Sequence, residues 1–159
     1  MAAESEFALV RQHLEAALQQ TVEWVTDLDL HIALVDTAAR QRDLDGLRHY
    51  LPLAERSLAE YDHPLYQPIL IRARGVAHWL AGELAEAEVQ LVLALELFKP
   101  LDTHWQIGRT LRELGELVSE RGEPTQARAR FTEAIAAFEQ LRAAPDIERM
   151  RGRLEELTR

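Results

Sequence analysis

The sequence predicts an all-α protein built from stacked helical hairpins, and three observations lead to this prediction. Apolar residues recur at spacings of three and four along nearly the whole chain, which is the period of an amphipathic helix. Sustained alternation of apolar and polar residues is absent, so no sheet is expected. The segments Ala81–Leu101 and Arg121–Leu141 repeat one pattern 40 residues apart, and such a period is typical of stacked hairpins.

Composition limits the classes of function that need to be considered. A chain of 159 residues that is 47% hydrophobic suits one soluble globular domain. With 18 basic and 27 acidic residues the net charge is −9, which disfavours nucleic-acid backbones and anionic membranes as partners. The absence of Cys excludes disulfides and thiolate metal sites. No secretion signal and no membrane-spanning run is recognised, so a cytoplasmic location is expected.

Eight helices are predicted from the apolar period and from the residues that begin and end helices. Thr26 with Asp29 forms a capping-box pattern, and Asp43 and Asp102 are expected to cap later helices. The predicted helices are, in order, Glu4–Val25, Thr26 to about Arg42, Asp43 to about Tyr61, one that begins after Asp62 and ends at Gly82, Glu83–Pro100, Asp102–Gly122, one that begins at Pro124, and one that begins at Pro145.

Two prolines leave the course of the third and fourth helices open. Pro64 fits the first turn of the fourth helix, but an interior Pro removes a hydrogen bond and clashes with the preceding turn. Pro68 therefore predicts that the fourth helix either starts late or kinks. Pro52 raises the same question for the third helix.

The repeated pattern has a physical interpretation in its small residues. Gly75 and Gly115 lie inside predicted helices, where Gly costs about 1 kcal/mol relative to Ala, so close approach of a neighbouring helix is expected to compensate. Phe98 and Phe138 are expected to fill the space that the small residues leave. A narrow small-residue face recurs once every two turns in both copies, at Ala87, Ala94, Ala127 and Ala134.

These residues resemble the tetratricopeptide repeat family. In "LRELGELVSERGEPTQARARFTEAIAAF", Leu111–Phe138, the large, Leu and small positions of the first helix, the turn Gly and the second-helix pattern all match. The middle repeat matches less fully, since Arg74 stands where Leu is usual. The period of 40 is longer than the usual value of about 34. In this the chain is similar to the long repeats in arrays of bacterial regulators.

The resemblance implies a right-handed α-α superhelix of about three hairpins with a leading helix and a C-terminal capping helix. One domain, 1–159, would contain the repeats 28–61, 64–100 and 104–142 and the capping helix 145–157. The first of these repeats matches only weakly, which is common for terminal repeats.

No constellation in the sequence predicts catalysis, a metal or a cofactor. The His residues are scattered, and no HExxH, GxSxG or phosphate-binding glycine loop is present. Asp27 and His31 share a predicted helix face, but two ligands fall short of a metal site. His78 is expected to be a packed structural residue. The protein is therefore predicted not to be an enzyme and to need no cofactor.

The three tryptophans are predicted to differ in role. Trp24 and Trp105 are expected in the core. Trp79 falls on the row of first-helix positions that, in the resembling family, lines the concave binding surface. The partner-binding residues that the resemblance implies are Ile69, Arg72, Val76, Trp79, Leu80, Arg109, Arg112 and Glu116.

The predicted function is a scaffold that binds a protein or peptide partner through this row. An apolar row beside arginines suits a segment with apolar anchors and a carboxylate. One alternative is a self-associating module whose apolar row is a homodimer interface. A further alternative is that another helix of the same chain already covers the row. Nucleic acid and membrane are not expected as partners.

Overall fold

The computed structural model describes residues 2–18, 26–61 and 63–158, with side chains from Phe7 onward. Within these ranges the regular structure is entirely helical, which confirms the all-α fold class. The helices are α1 (Ala2–Leu18), α2 (Asp27–Gln41), α3 (Leu44–Ala59), α4 (Tyr66–Leu80), α5 (Leu84–Phe98), a 3-10 turn (Lys99–Leu101), α6 (His104–Glu120), α7 (Pro124–Glu139) and α8 (Ala144–Glu156).

The helices form two compact units, which are described separately. Unit 1 spans residues 1–83 and unit 2 spans residues 84–159. In unit 1, α2 packs against α1, α3 and α4, and α3 also packs against α4. In unit 2, α6 packs against α5 and α7, and α8 packs against α7. The single-domain organisation and the repeat boundaries remain predictions.

Several helix ends are formed by the residues predicted to form them. Thr26 and Asp29 make the complete capping box: the Thr26 hydroxyl accepts from the Asp29 amide at 3.2 Å, and the Asp29 carboxylate accepts from the Thr26 amide at 3.0 Å. Asp43 caps α3 by accepting from the amide of Gly46 at 2.9 Å. Gly82 and Gly122 end α4 and α6 with φ of 82° and 78°, a conformation that favours glycine.

The sixth helix begins differently from the prediction. Asp102 does not cap it; Asp102 ends the 3-10 turn in the left-handed conformation, with φ of 51°, and α6 starts at His104. The reason is that Pro100 stops α5, and the tight turn that follows uses the residue expected as the cap. The Asp102 carboxylate lies 3.3 Å from Nε2 of His104 instead.

The start of α4 accounts for Pro68, whereas the third helix does contain its proline. Because α4 begins at Tyr66, Pro68 falls in its first turn, so the late-start interpretation is correct. Pro52 lies inside α3 on an exposed side of the helix.

Close packing of α6 against α7 explains the interior glycines. A Cβ on Gly115 would lie 2.5 Å from Cε1 of Phe131, and one on Gly108 would lie 2.7 Å from Cε1 of Phe138. The predicted close approach is therefore confirmed at Gly115, and Phe138 fills space as expected. Phe98, Phe131 and Phe138 are fully buried, as are the repeated alanines Ala87, Ala94, Ala127 and Ala134.

The predicted burial of Trp105 is wrong. Its side chain is 44% exposed, and its ring makes an edge contact with Phe138 at a centroid distance of 5.7 Å. Trp105 is the second residue of α6, so it lies at the end of the α6–α7 packing rather than within it. Trp24 and the predicted end of the first helix, residues 19–25, lie outside the described residues.

The register of α7 can be tested by enlarging one alanine. We expect Ala134→Leu to cost about 1–3 kcal/mol of unfolding free energy, because Ala134 is fully buried and an added isobutyl group overpacks the core. Ala136 lies in the same helix but is exposed, so Ala136→Leu serves as the matched control. Thermal unfolding followed by circular dichroism measures both. Equal melting temperatures for the two variants would show that α7 does not bury this face.

Candidate protein-binding surface

The predicted partner-binding residues of unit 1 lie on α4 at different depths. Ile69, Arg72 and Val76 are buried, with exposed fractions of 6%, 3% and 1%. Trp79 and Leu80, at the C-terminal end of the helix, are only half-buried. The part of the row that unit 1 presents at its surface is therefore its C-terminal end. A role of these residues in partner binding remains a prediction.

Contacts between α2 and α4 account for much of this burial. Nη2 of Arg72 donates to the Asp36 carboxylate at 3.1 Å. Near the start of both helices, the Tyr66 hydroxyl donates to Asp29. Such a contact between one helix and the next but one, with its residues 36 or 37 apart in the chain, is called a rung below. Arg72, expected to bind a carboxylate of a partner, thus binds one of its own chain.

The rung between Tyr66 and Asp29 changes the acidity of both groups. The hydrogen bond from Tyr66 lowers the pKa of Asp29, and the bonds from the Thr26 amide and hydroxyl lower it further. The same bond, together with burial, raises the pKa of Tyr66 to about 12. The Asp29 carboxylate is therefore favoured in its charged form while it caps α2 and contacts α4.

A third rung at the other end of α2 reaches the surface. Arg42 follows α2 in the left-handed conformation, with φ of 58°, and its guanidinium carbon lies 4.3 Å from the centre of the Trp79 ring. This distance is well within the range of a cation–π contact. Trp79, its neighbour Leu80 and Arg42 together form what we call the Trp79 surface.

A groove lies between α1 and the segment at the end of α2. Gln41 and Asp43, which flank Arg42 in sequence, line this groove of roughly 580 Å³ together with residues of α1. Arg11 crosses it and donates to Gln41 at 2.7 Å and to Asp43 at 2.6 Å. Arg40 lies 5.6 Å from the centre of the Phe7 ring. This end of unit 1 thus combines three arginines with apolar rings in a chain that is acidic overall.

Two of the three predicted residues of unit 2 form ion pairs within their own unit. Arg109 is buried, and Arg112 donates to Glu113 at 3.3 Å. Glu116 is bound by Arg153 of α8, whose Nε and Nη2 donate to its carboxylate at 2.9 and 2.7 Å. This bidentate contact is the main cause that raises the pKa of Arg153. Glu116 therefore attaches α8 to α6.

A known protein family matches part of the chain. The family model described as "Tetratricopeptide repeat" matches residues 67–140, which extend from the first turn of α4 to the end of α7. Residues 67–140 therefore contain tetratricopeptide repeats. No curated protein matches the chain in sequence. Tetratricopeptide repeats generally mediate protein–protein interaction, and the family is typically a non-catalytic scaffold.

The rungs are the feature of these tetratricopeptide repeats that sequence reasoning missed. Glu116 and Arg153 are 37 residues apart, the separation seen for Asp29 and Tyr66, and Asp36 and Arg72 are 36 apart. The repeated pattern aligned identical residues at 40. The rungs instead join complementary residues whose separation in the chain is three or four residues less than that period. A search for acidic residues followed by Arg or Tyr at 36 or 37 would have found these three pairs, but not the rung between Arg42 and Trp79.

Other kinds of site are not found among the described residues. In those ranges no three His, Asp or Glu side chains come together as a set that could hold a metal ion. His31, considered with Asp27 above, hydrogen-bonds Ser57 at 2.9 Å, and burial lowers its pKa. His78 is half-buried beside Glu83. None of the helices described here has the length and apolar content required to cross a bilayer.

Proposed function

We propose that the chain is a non-catalytic interaction module that binds a segment of another polypeptide at the Trp79 surface. The observation that carries the proposal is the half-buried Trp79 ring, on which Arg42 stacks, at the exposed end of a tetratricopeptide helix. Trp and Arg are the residues that most often dominate binding energy at interfaces. The segment would carry an apolar anchor and at least one carboxylate.

Each residue of the surface has a distinct part in this proposal. An apolar side chain of the partner would cover Trp79 and Leu80, because both are already partly shielded from water and pre-positioned by α4. Arg42 uses the face of its guanidinium on Trp79, and the N–H groups at the edge of a stacked guanidinium suit a carboxylate. Ile69 and Val76, buried on the same side of α4, would support the surface from beneath.

Truncation of Trp79 tests the proposal. Peptides are selected from a displayed random library with free C-termini, and their affinity is measured by titration calorimetry. We expect Trp79→Ala to weaken binding about 30-fold or more, which corresponds to about 2 kcal/mol. The melting temperature should stay close to that of the wild type, because the ring is only partly buried, at the end of α4. Binding should also weaken at high salt, since the exposed Arg42 contributes a screened attraction.

Trp105→Ala is the matched control, because Trp105 is an exposed Trp in unit 2. An equal loss of affinity in this control, or an unchanged affinity in Trp79→Ala, would contradict the proposal. A fall of several degrees in the melting temperature of Trp79→Ala would show that the ring is part of the core. Light scattering at two concentrations tests the homodimer alternative. A dimer that Trp79→Ala dissociates would favour the homodimer interface over peptide binding.

A further inference from the structure

Helix α5 is rich in apolar residues and yet exposes two large ones. Large apolar residues of a helix normally face the core. The inner side of α5 follows this rule, since Ala87, Leu91, Ala94, Leu95 and Phe98 are buried. On the outer side, however, Val89 is 63% exposed and Leu93 is 44% exposed. Because these two residues are four apart, they form one apolar ridge, which we call the α5 ridge.

The charged residues of α5 itself are all acidic. The helix contains Glu86, Glu88 and Glu96 and no basic residue. Glu86 and Glu96 are exposed and lie near the two ends of the ridge. Glu88 is bound by Arg121 in unit 2, and Glu96 accepts from Lys99, just beyond the helix, at 2.6 Å. An apolar strip between exposed carboxylates complements a surface that is apolar at its centre and basic at its edges.

We infer that the α5 ridge binds an amphipathic helix of another protein, whose apolar face is flanked by Lys or Arg. Apolar residues at helical spacing on such a partner would pack against Val89 and Leu93 in the way that helices anchor on exposed apolar strips. Basic residues about three turns apart on the partner would reach Glu86 and Glu96, which are ten residues apart on α5. The inference is independent of the proposed function, because it concerns another helix and the opposite charge on the partner.

A second copy of the chain fits the α5 ridge poorly. In an antiparallel symmetric pair, the register that sets Val89 against Leu93 also sets Glu86 against Glu96. In a parallel symmetric pair, each glutamate meets its own counterpart. Both arrangements bring like charges together between two chains that each carry a net charge of −9.

The experiment uses a synthetic peptide of about 18 residues made of Leu and Lys, with the leucines on one helical face. Its ends are acetylated and amidated, so it has no carboxylate with which to engage the Trp79 surface. Affinity for the full chain is measured by titration calorimetry. The comparison peptides are a scrambled sequence of the same composition and a version in which Gln replaces Lys, so neither contains a carboxylate. We expect the amphipathic basic peptide to bind at least about tenfold more tightly than either.

Variants of α5 then locate the binding. Val89→Ser with Leu93→Ser should weaken binding about tenfold or more, because the apolar contact is lost. Glu86→Gln with Glu96→Gln should weaken it and reduce its dependence on salt. The control is Leu9→Ser with Val10→Ser, which changes two exposed apolar residues of α1 in unit 1.

Three results would overturn the inference. One is that the amphipathic and scrambled peptides bind equally, because the chain would then recognise only their charge, or that neither peptide binds at all. Another is unchanged affinity in the serine variant of α5. The third is a dimer in sedimentation experiments that the serine variant of α5 dissociates, because the ridge would then be covered by a second copy. Circular dichroism confirms that the variants remain folded.

Discussion

Asp36→Ala is expected to destabilise the protein by about 2–3 kcal/mol. The substitution removes a carboxylate that binds Arg72, whose side chain is only 3% exposed. Removing one member of a buried ion pair typically costs about 3–5 kcal/mol, because the remaining charge is left in a poorly solvated site. We place the value lower because Asp36 itself is 25% exposed and water can partly replace it. Chemical denaturation measures the difference.

A second ion pair on α4 provides the control for this prediction. Arg74, two residues from Arg72, donates to Glu55 at 2.6 Å, but both side chains are about 40% exposed. Glu55→Ala should therefore cost less than about 1 kcal/mol. Asp36→Leu combined with Arg72→Met should recover much of the stability lost in Asp36→Ala, because both charges are then removed from the interior. Equal effects of Asp36→Ala and Glu55→Ala would show that the depth of Arg72 has no energetic consequence.

Gly115→Val is expected to cost about 3 kcal/mol, at the upper end of the usual range for overpacking. Even the first added carbon would lie 2.5 Å from the ring of Phe131, which is fully buried. The ring cannot move aside without disturbing the packing of α6 on α7.

Gly152 offers a matched control in α8, because a Cβ there would meet nothing within 4 Å. Gly152→Val should leave stability within about 0.5 kcal/mol of the wild type, since valine is a better helix former than glycine. Phe131→Leu should partly rescue Gly115→Val by making room. If Gly115→Val has the same melting temperature as the wild type, then the close approach at Gly115 is wrong. If Phe131→Leu does not rescue a destabilised Gly115→Val, then the Phe131 ring is not the cause of the loss.

The features that were predictable from the sequence are those fixed by neighbouring residues. The capping box of Thr26 and Asp29 and the turn at Gly122 depend on a few successive residues, so their patterns suffice. The helix period identifies which side of α7 is buried, as at Ala134. The burial of Trp105 depends on how far the α6–α7 packing extends along the helix, and the aligned repeats do not contain that information.

The predicted binding row shows the same limit more clearly. Aligning α4 with the family selects one side of the helix. Whether a residue on that side faces water depends on what the neighbouring helix places opposite it. Asp36 lies opposite Arg72 and removes it from the surface, whereas Arg42 lies opposite Trp79 at the helix end. How deeply each residue is buried therefore depends on pairs of helices, and a single aligned repeat does not contain that information.

The spacing of the rungs has a consequence for how quickly the chain folds. Each rung closes a loop of 36 or 37 residues, about one hairpin, as between Asp36 and Arg72 or Glu116 and Arg153. The entropy lost on closing a loop grows with the logarithm of its length, so every rung meets nearly the same modest barrier. Because each rung spans about one hairpin, its formation does not require distant parts of the chain to meet. Refolding should consequently start at any hairpin and spread to its neighbour, and its rate should change little if further hairpins are added.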